Sequence, residues 1–191
     1  MFELAAEAVV PRLRGRFGRP YQHVERCRST QLLLTPDAPE GAVVVAEEQT
    51  SGRGRLGRRW EAAPGTSILC SISLRPAVDA EVLPHLSLVA GAACAEAMAV
   101  VTGLHPTVKF PNDILVSGRK VAGILAEASG GWVVLGIGIN VNAQLEELPE
   151  GATSLSRETG RPVDRAELLI TLLERLETHY DRWTTSPSSP P

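Results

Sequence analysis

Lysine is almost missing from this chain. Of 19 basic residues only Lys109 and Lys120 are lysines, and the other 17 are arginines. Where charge alone is needed the sequence has drifted to arginine. The two lysines that remain are therefore candidates for a task that suits a compact point charge on a thin stem better than a planar guanidinium. Cysteine is also sparse. Cys27, Cys70 and Cys94 are odd in number and lack C-x-x-C spacing, so neither a disulfide framework nor a zinc site is indicated. Positive charge is not in excess: 19 basic against 22 acidic residues give −3 and a pI of about 5.8, which argues against a coat for nucleic acid or anionic membrane. No apolar run approaches the roughly 20 residues that span a bilayer. The opening MFELAAEAVVPRLRGR carries acids early and arginines late, the reverse of a secretory signal. His23, His85, His105 and His179 are scattered, so no catalytic triad can be assembled. What is present is ordinary globular composition, 43% apolar and 21% charged, in 191 residues. That is enough for one sizeable core. The expectation is a soluble, cytoplasmic single domain.

Periodicity and turn signals outline the elements. A helix is expected over 3–10, broken by Pro11, and Ser29 with Thr30 precedes an apolar run like a capped helix start. Residues 42–46 (AVVVA) read as a buried strand. Residues 49–65, rich in Gly and Arg without apolar period, read as a loop. Residues 66–74 alternate, with Ile68, Cys70, Ile72 and Leu74 on one face, and predict a half-buried strand. The Ala-rich stretch 84–101 predicts a mostly buried helix with proline near its first turn. Strand-like segments at 107–110, 114–116, 121–127 and 132–142 are separated by short turn signals, which indicates an antiparallel meander. Asp164 with Glu167 resembles a capping box, opening a helix with Leu169, Leu172, Leu173, Leu176 and Tyr180 at helical spacing. Residues 184–191 (TTSPSSPP) are disordered by composition. Helices flanking a mainly antiparallel mixed sheet define an α+β fold.

Three segments carry chemistry. GRGRLGRRW over 52–60 packs Arg53, Arg55, Arg58 and Arg59 among three glycines. It contains a formal G-x-G-x-x-G, but RRWEAAPG is not the apolar opening of a helix, so the dinucleotide reading fails; no G-K-[ST] follows for a Walker A loop. Such a loop can fold amides and guanidinium forks over a phosphate or carboxylate, or be a solvated basic turn. The second segment, KFPND over 109–113 followed by GRKVAGILAE over 118–127, holds both lysines, with Lys120 opening an apolar strand that gives it a rigid platform. The Asn112–Asp113 pair also satisfies an ordinary β-turn. The third, GIGIN over 136–140, sets Gly136 and Gly138 on one strand face, with room for a flat ligand or a close backbone, and ends in Asn140. Cys70 and Cys94 read as core.

Taken in order, STQ at 29–31, AEEQTSGRGRLGRRW at 46–60, KFPND at 109–113, GRKVAGILAE at 118–127 and GIGIN at 136–140 resemble the biotin–protein ligase family, with ATSL at 152–155 continuing the match. The resemblance implies a catalytic domain related to class II aminoacyl-tRNA synthetases and lipoate ligases. It also implies a two-step reaction: biotin and Mg-ATP give biotinyl-5′-AMP, and the biotinyl group then passes to one lysine of a biotin carboxyl-carrier protein. By the same resemblance Ser29, Thr30, Gln31 and Gln49 would contact biotin. Arg53, Gly54 and Arg55 would close over biotin and adenylate, and Lys120 would reach the biotin carboxylate and α-phosphate. Lys120, Arg53 and Arg55 are the implied catalytic groups. Arg58, Trp60, Lys109, Asn112, Asp113 and Asn140 would lie on the ATP side, and the ligands of Mg²⁺ are not implied. Phe110 stands where the family more often has Trp. A single catalytic domain over 1–183 is expected, without an N-terminal winged-helix domain or a C-terminal SH3-like domain. A lipoate or octanoate ligase on the same scaffold, and a biotin-binding module with impaired turnover, are the alternatives.

Overall fold

Alternation of period two decides the architecture of the computed structural model, which describes residues 3–186. Seven strands form one sheet: β1 (Tyr21–Cys27), β2 (Val43–Gln49), β3 (Ser67–Leu74), β4 (Thr107–Lys109), β5 (Asp113–Val116), β6 (Arg119–Ser129) and β7 (Trp132–Asn140), in the order β1-β2-β3-β7-β6-β5-β4. All neighbours are antiparallel except β1 with β2. The helices are α1 (Ala6–Val9), α2 (Leu86–Thr102), α3 (Leu155–Thr159) and α4 (Arg165–Thr185).

One sheet face sends Ile68, Cys70, Ile72 and Leu74 of β3, Ile124 of β6, and Leu135, Ile137 and Ile139 of β7 into the main core, against Val89, Ala93, Ala97 and Met98 of α2 and Leu169, Leu172, Leu173 and Leu176 of α4. The opposite face carries Ser71, Gly123, Glu127, Gly136 and Gly138, and there the candidate site lies. A smaller cluster of Leu34, Ala42, Val44 and Val134 extends that face. The Asp164 carboxylate accepts the Glu167 N–H at 2.9 Å, the expected cap of α4.

Several expectations are corrected. The first helix is shorter than 3–10: α1 is followed by a 3₁₀ turn, Val10–Arg12, where Pro11 lacks the N–H to continue. Thr30–Leu32 is a 3₁₀ turn, and the Ser29 side chain makes no cap bond. β3 is buried along its whole length, because both faces are covered. On the open side Ser71 bonds Gln31 and Thr30, and Ser73 bonds Trp132 and Ala38. β1 and α3 were not anticipated. The helix expected at 84–101 starts at Leu86 after a 3₁₀ turn and ends on Gly103 in the left-handed region at φ 75°. With its preceding turn, Leu83–Thr102 is long and apolar enough by composition to cross a membrane, contrary to the expectation of no such run. Its apolar content has a nearer explanation, since Leu86, Val89, Ala90, Ala93, Cys94, Ala97 and Met98 are buried in the core. At the C-terminal end α4 runs through Thr185, two residues into the stretch expected to be disordered, and 187–191 lie outside the described residues.

Candidate active site

A polar floor forms where the 3₁₀ turn after β1 meets β2 and β3. The Thr30 N–H donates to Gln49 Oε1 at 2.7 Å, and Thr30 Oγ1 lies 2.7 Å from Ser71 Oγ. Ser71 Oγ donates to Gln31 Oε1 at 2.9 Å, and Gln31 Nε2 donates to Glu127 Oε2 at 3.0 Å. Thr30, Gln31 and Ser71 are buried. Beside them the buried Ser29 hydroxyl has no protein partner. An unpaired buried hydroxyl costs about 1–3 kcal/mol, so this group marks a position suited to a polar ligand atom.

The roof is the arginine loop. Arg53 pairs with Glu127 at 2.8 Å and forms an isolated bridge with Arg59. The Gly54 N–H donates to the Arg58 carbonyl at 2.8 Å, and the Trp60 N–H to the Gly52 carbonyl at 3.1 Å. Arg55 Nη1 donates to Asn112 Oδ1 at 3.3 Å, while Asn112 Nδ2 donates to the Ile124 carbonyl at 3.0 Å. Asn112 therefore does more than satisfy its turn: it joins loop to sheet.

Between floor and roof lies an aromatic slot. Gly123 and Gly138 pair across β6 and β7, and the Trp60 indole rests on both. A Cβ at either position would come within 3 Å of the ring, so a side chain there would displace the indole. The room expected beside Gly136 and Gly138 is thus taken by the protein's own flat groups: the Gln31 carboxamide lies against Gly136 and the indole against Gly138. The Trp60 Nε1 is buried without a partner.

Lys120 projects from β6 with its Nζ 2.7 Å from Asp113 Oδ1 and 5.5 Å from the centre of the Trp60 ring. Its backbone is held on both sides by the segment after β7, donating to the Gly151 carbonyl at 3.2 Å and accepting from Thr153 N–H at 2.8 Å. The Asn140 carboxamide donates to the Thr153 carbonyl at 3.1 Å.

These groups enclose a cavity of about 240 Å³. Of the residues singled out in the sequence, Ser29, Thr30, Gln31, Gln49, Arg53, Gly54, Arg55, Arg58, Trp60, Asn112, Lys120 and Asn140 line it. Asp113 reaches it only through Lys120. Lys109 is not brought to the cavity: it is exposed on β4, opposite Asp113 in register. Arg59, named with the loop arginines, also lines it, whereas sequence reasoning missed Ser71 and the wall at 149–152. Ser71 was visible as the polar partner of an alternating strand. The wall comes from a distant loop with no periodic signal. Cys70 sits on the core face with its thiol pushed up to about 12 by burial, and burial likewise raises Cys94, so neither is a nucleophile at neutral pH. Among the described residues no three His, Cys, Asp or Glu gather as a metal site.

The arrangement can hold a neutral hydrogen-bonding head on the floor and anionic groups under the arginines and Lys120, with the Trp60 indole as a flat wall between them. The model of the biotin/lipoate A/B protein ligase family matches residues 21–143, which contain every site residue named from the sequence. The chain belongs to this family.

The bifunctional ligase/repressor BirA of Bacillus subtilis is 38% identical over 167 residues, 83% of this chain and 51% of that protein. The biotin–[acetyl-CoA-carboxylase] ligase of Mycobacterium tuberculosis is 40% identical over 148 residues, 75% of this chain and 56% of that protein. The chain thus spans about half the length of the curated relatives it matches. Among solved structures, the Aquifex aeolicus biotin protein ligase in complex with biotin and ATP superposes with a TM-score of 0.77 at 34% identity, covering 87% of this chain and 73% of that one. The Leishmania major biotin protein ligase in complex with biotinyl-5-AMP gives 0.71 at 25% identity, covering 85% of this chain and 75% of that one. The seven-stranded mixed sheet flanked by helices is the fold of these catalytic domains.

Proposed function

We propose that this chain activates biotin with ATP as biotinyl-5′-AMP and passes the biotinyl group to a lysine of a biotin carboxyl-carrier protein. The observation that carries this reading is the convergence, in one cavity, of a neutral polar floor and a cationic roof with Lys120 between them. The ureido ring of biotin offers two N–H donors and one carbonyl acceptor. Ser29, Thr30, Gln31 and Gln49 supply complementary hydroxyl and carboxamide groups. A lipoyl or octanoyl chain has no use for such a floor, which favours biotin over the same-scaffold alternative.

The first step brings a carboxylate oxygen onto the α-phosphorus of ATP and expels pyrophosphate. Two anions must meet, so positioning and charge neutralisation dominate. Lys120 serves the carboxylate and α-phosphate from its rigid strand. Arg53, Gly54 and Arg55 close over the intermediate and exclude water from a hydrolysable anhydride. Arg58, Trp60, Asn112, Asp113 and Asn140 belong to the ATP side in this reading, and Lys109, exposed on β4, would act only at its periphery. Mg²⁺ would come with ATP, since the described residues offer no carboxylate cluster to hold it, and would supply further neutralisation of the phosphate charge. In the second step the acceptor lysine amine attacks the anhydride carbonyl and AMP leaves. Residues 1–183 form one catalytic domain in this reading, acting in the cytoplasm.

The test is pyrophosphate release with Mg-ATP and biotin, octanoate or lipoate in turn, followed by mass measurement of an added carrier domain. Biotin-dependent release and a single biotinyl addition are expected. Equal release with octanoate or lipoate overturns the substrate assignment, and biotin binding without release identifies a binding module.

A further inference from the structure

Glu127 lines neither the floor nor the aromatic slot, yet it touches the two parts of the site that must act together. Its Oε2 accepts from Gln31 Nε2 at 3.0 Å, and its Oε1 lies 2.8 Å from Arg53 Nη2. Gln31 in turn takes the Ser71 hydroxyl on Oε1, and Ser71 meets Thr30. One chain of hydrogen bonds therefore runs from the floor (Thr30, Ser71, Gln31) through a single carboxylate to the roof (Arg53). We propose that Glu127 is a positioning residue that couples occupancy of the floor to closure of the arginine loop. The proposal rests on the reading of the floor as the seat of biotin's ring.

Two physical arguments carry it. A carboxylate can only accept, so it dictates which way the Gln31 carboxamide turns: Nε2 toward Glu127, Oε1 toward Ser71. Reversing that carboxamide would set oxygen against oxygen at Glu127. The floor's donor and acceptor pattern, and hence its selectivity for a ligand head, is thus set from outside the floor. The same carboxylate holds the loop by a charge-assisted bond to the Arg53 side chain, while the Arg53 backbone bridges to Arg59 across the loop. A ligand that immobilises Gln31 fixes Glu127, which lowers the ordering cost of clamping Arg53; by reciprocity, a clamped loop tightens the floor.

Limited trypsin digestion reads the loop directly, because Arg55, Arg58 and Arg59 are cleavage points that every variant below retains, and it needs no turnover. In the ligand-free chain, Glu127→Gln and Arg53→Gln should each speed cleavage after these arginines about fivefold, and the double variant no further, since both break one link. Biotin should slow cleavage in the unaltered chain and much less in either variant. In pyrophosphate assays Glu127→Gln should raise the KM for biotin about tenfold while leaving the KM for ATP unchanged, and Glu127→Asp should recover part of the loss. A simple loss of folding would move both constants and the melting temperature together. If Glu127→Gln does not fold, Arg53→Gln, changed on the exposed side of the link, carries the digestion test. Unchanged ligand-free cleavage in the folded variants overturns the coupling whatever the ligand is. If the unaltered chain releases no pyrophosphate with biotin, the functional reading fails instead, and the digestion series still decides the Arg53–Glu127 link.

Discussion

Lys120 faces a carboxylate and an indole at once, with its Nζ 2.7 Å from Asp113 and 5.5 Å from the Trp60 ring centre. In that space a point charge can exchange Asp113 for an incoming carboxylate or phosphate by a small rotation of its stem. A guanidinium is planar and wider, and would press on the indole or displace the ligand. Lys120→Arg is therefore expected to lower biotin-dependent pyrophosphate release roughly a hundredfold, about 3 kcal/mol of transition-state stabilisation, although charge is kept. Near-native release would reduce Lys120 to a partner of Asp113. At this scale the sequence was informative where a residue type was rare or its spacing unusual. Lys120 stood out because lysine is scarce, and the arginines because glycines separate them. Lys109 was equally rare and is exposed away from the cavity, so rarity alone does not place a side chain. The role of Glu127 has no signal in the sequence, since an acid on a strand ordinarily faces water, and its two partners lie 74 and 96 positions away along the chain.

The element that unites the site is the loop between β2 and β3, whose side chains reach the rest of the protein through a small number of bonds. Arg55 holds Asn112 through one bond of 3.3 Å, and Leu56 sits at the tip 89% exposed with φ 58°, a left-handed conformation unusual for leucine. Such a loop has little to lose by opening, as a lid requires. Arg55→Gly removes the tie to Asn112 and adds backbone freedom. Adenylate synthesis should persist in part because Lys120 remains, while the anhydride escapes and acylates lysines at large. Mixing the variant with biotin, Mg-ATP and an unrelated lysine-rich protein, then measuring biotin on that bystander by mass, should show more labelling than the unaltered chain gives. Equal labelling with continued adenylation would return the loop to a basic surface turn. The strands were legible where apolar residues alternate, as in β3, β6 and β7. β1 was not, because YQHVERC has few apolar residues: it lies at the sheet edge and is buried only in part. The glycines of β6 and β7 suggested an open slot, but the indole that fills it comes from a loop more than 60 residues upstream, which no local pattern could announce.

Across the whole molecule, a buried ionic network ties the N-terminal segment to β1, β2, β3 and α4. Arg165, the first residue of α4, donates from its backbone and Nε to Glu3 at 2.6 and 2.9 Å, and from Nη1 to Glu47 at 2.7 Å and the Ser67 carbonyl at 3.2 Å. Glu47 also meets His23 Nε2 at 2.9 Å. The side chains of Arg165 and Glu47 are only 6% and 4% exposed, so neither charge can fall back on water. Arg165→Met keeps the apolar stem and leaves the Glu47 carboxylate buried without its guanidinium. Loss of one partner from a buried pair typically costs about 3–5 kcal/mol, a large share of the stability of a domain this size. Changing Glu47 to Gln in the same chain removes the stranded charge and lets the carboxamide keep a bond to His23, so most of that loss should return. The comparison is made by urea unfolding at low temperature, followed by tryptophan fluorescence and far-ultraviolet dichroism. One coincident transition is expected by both probes, since the network and the core link the same elements. A single variant as mild as a surface change, or a double variant worse than the single, would mean that the network is held by packing around the Arg165 stem and that its charges contribute little.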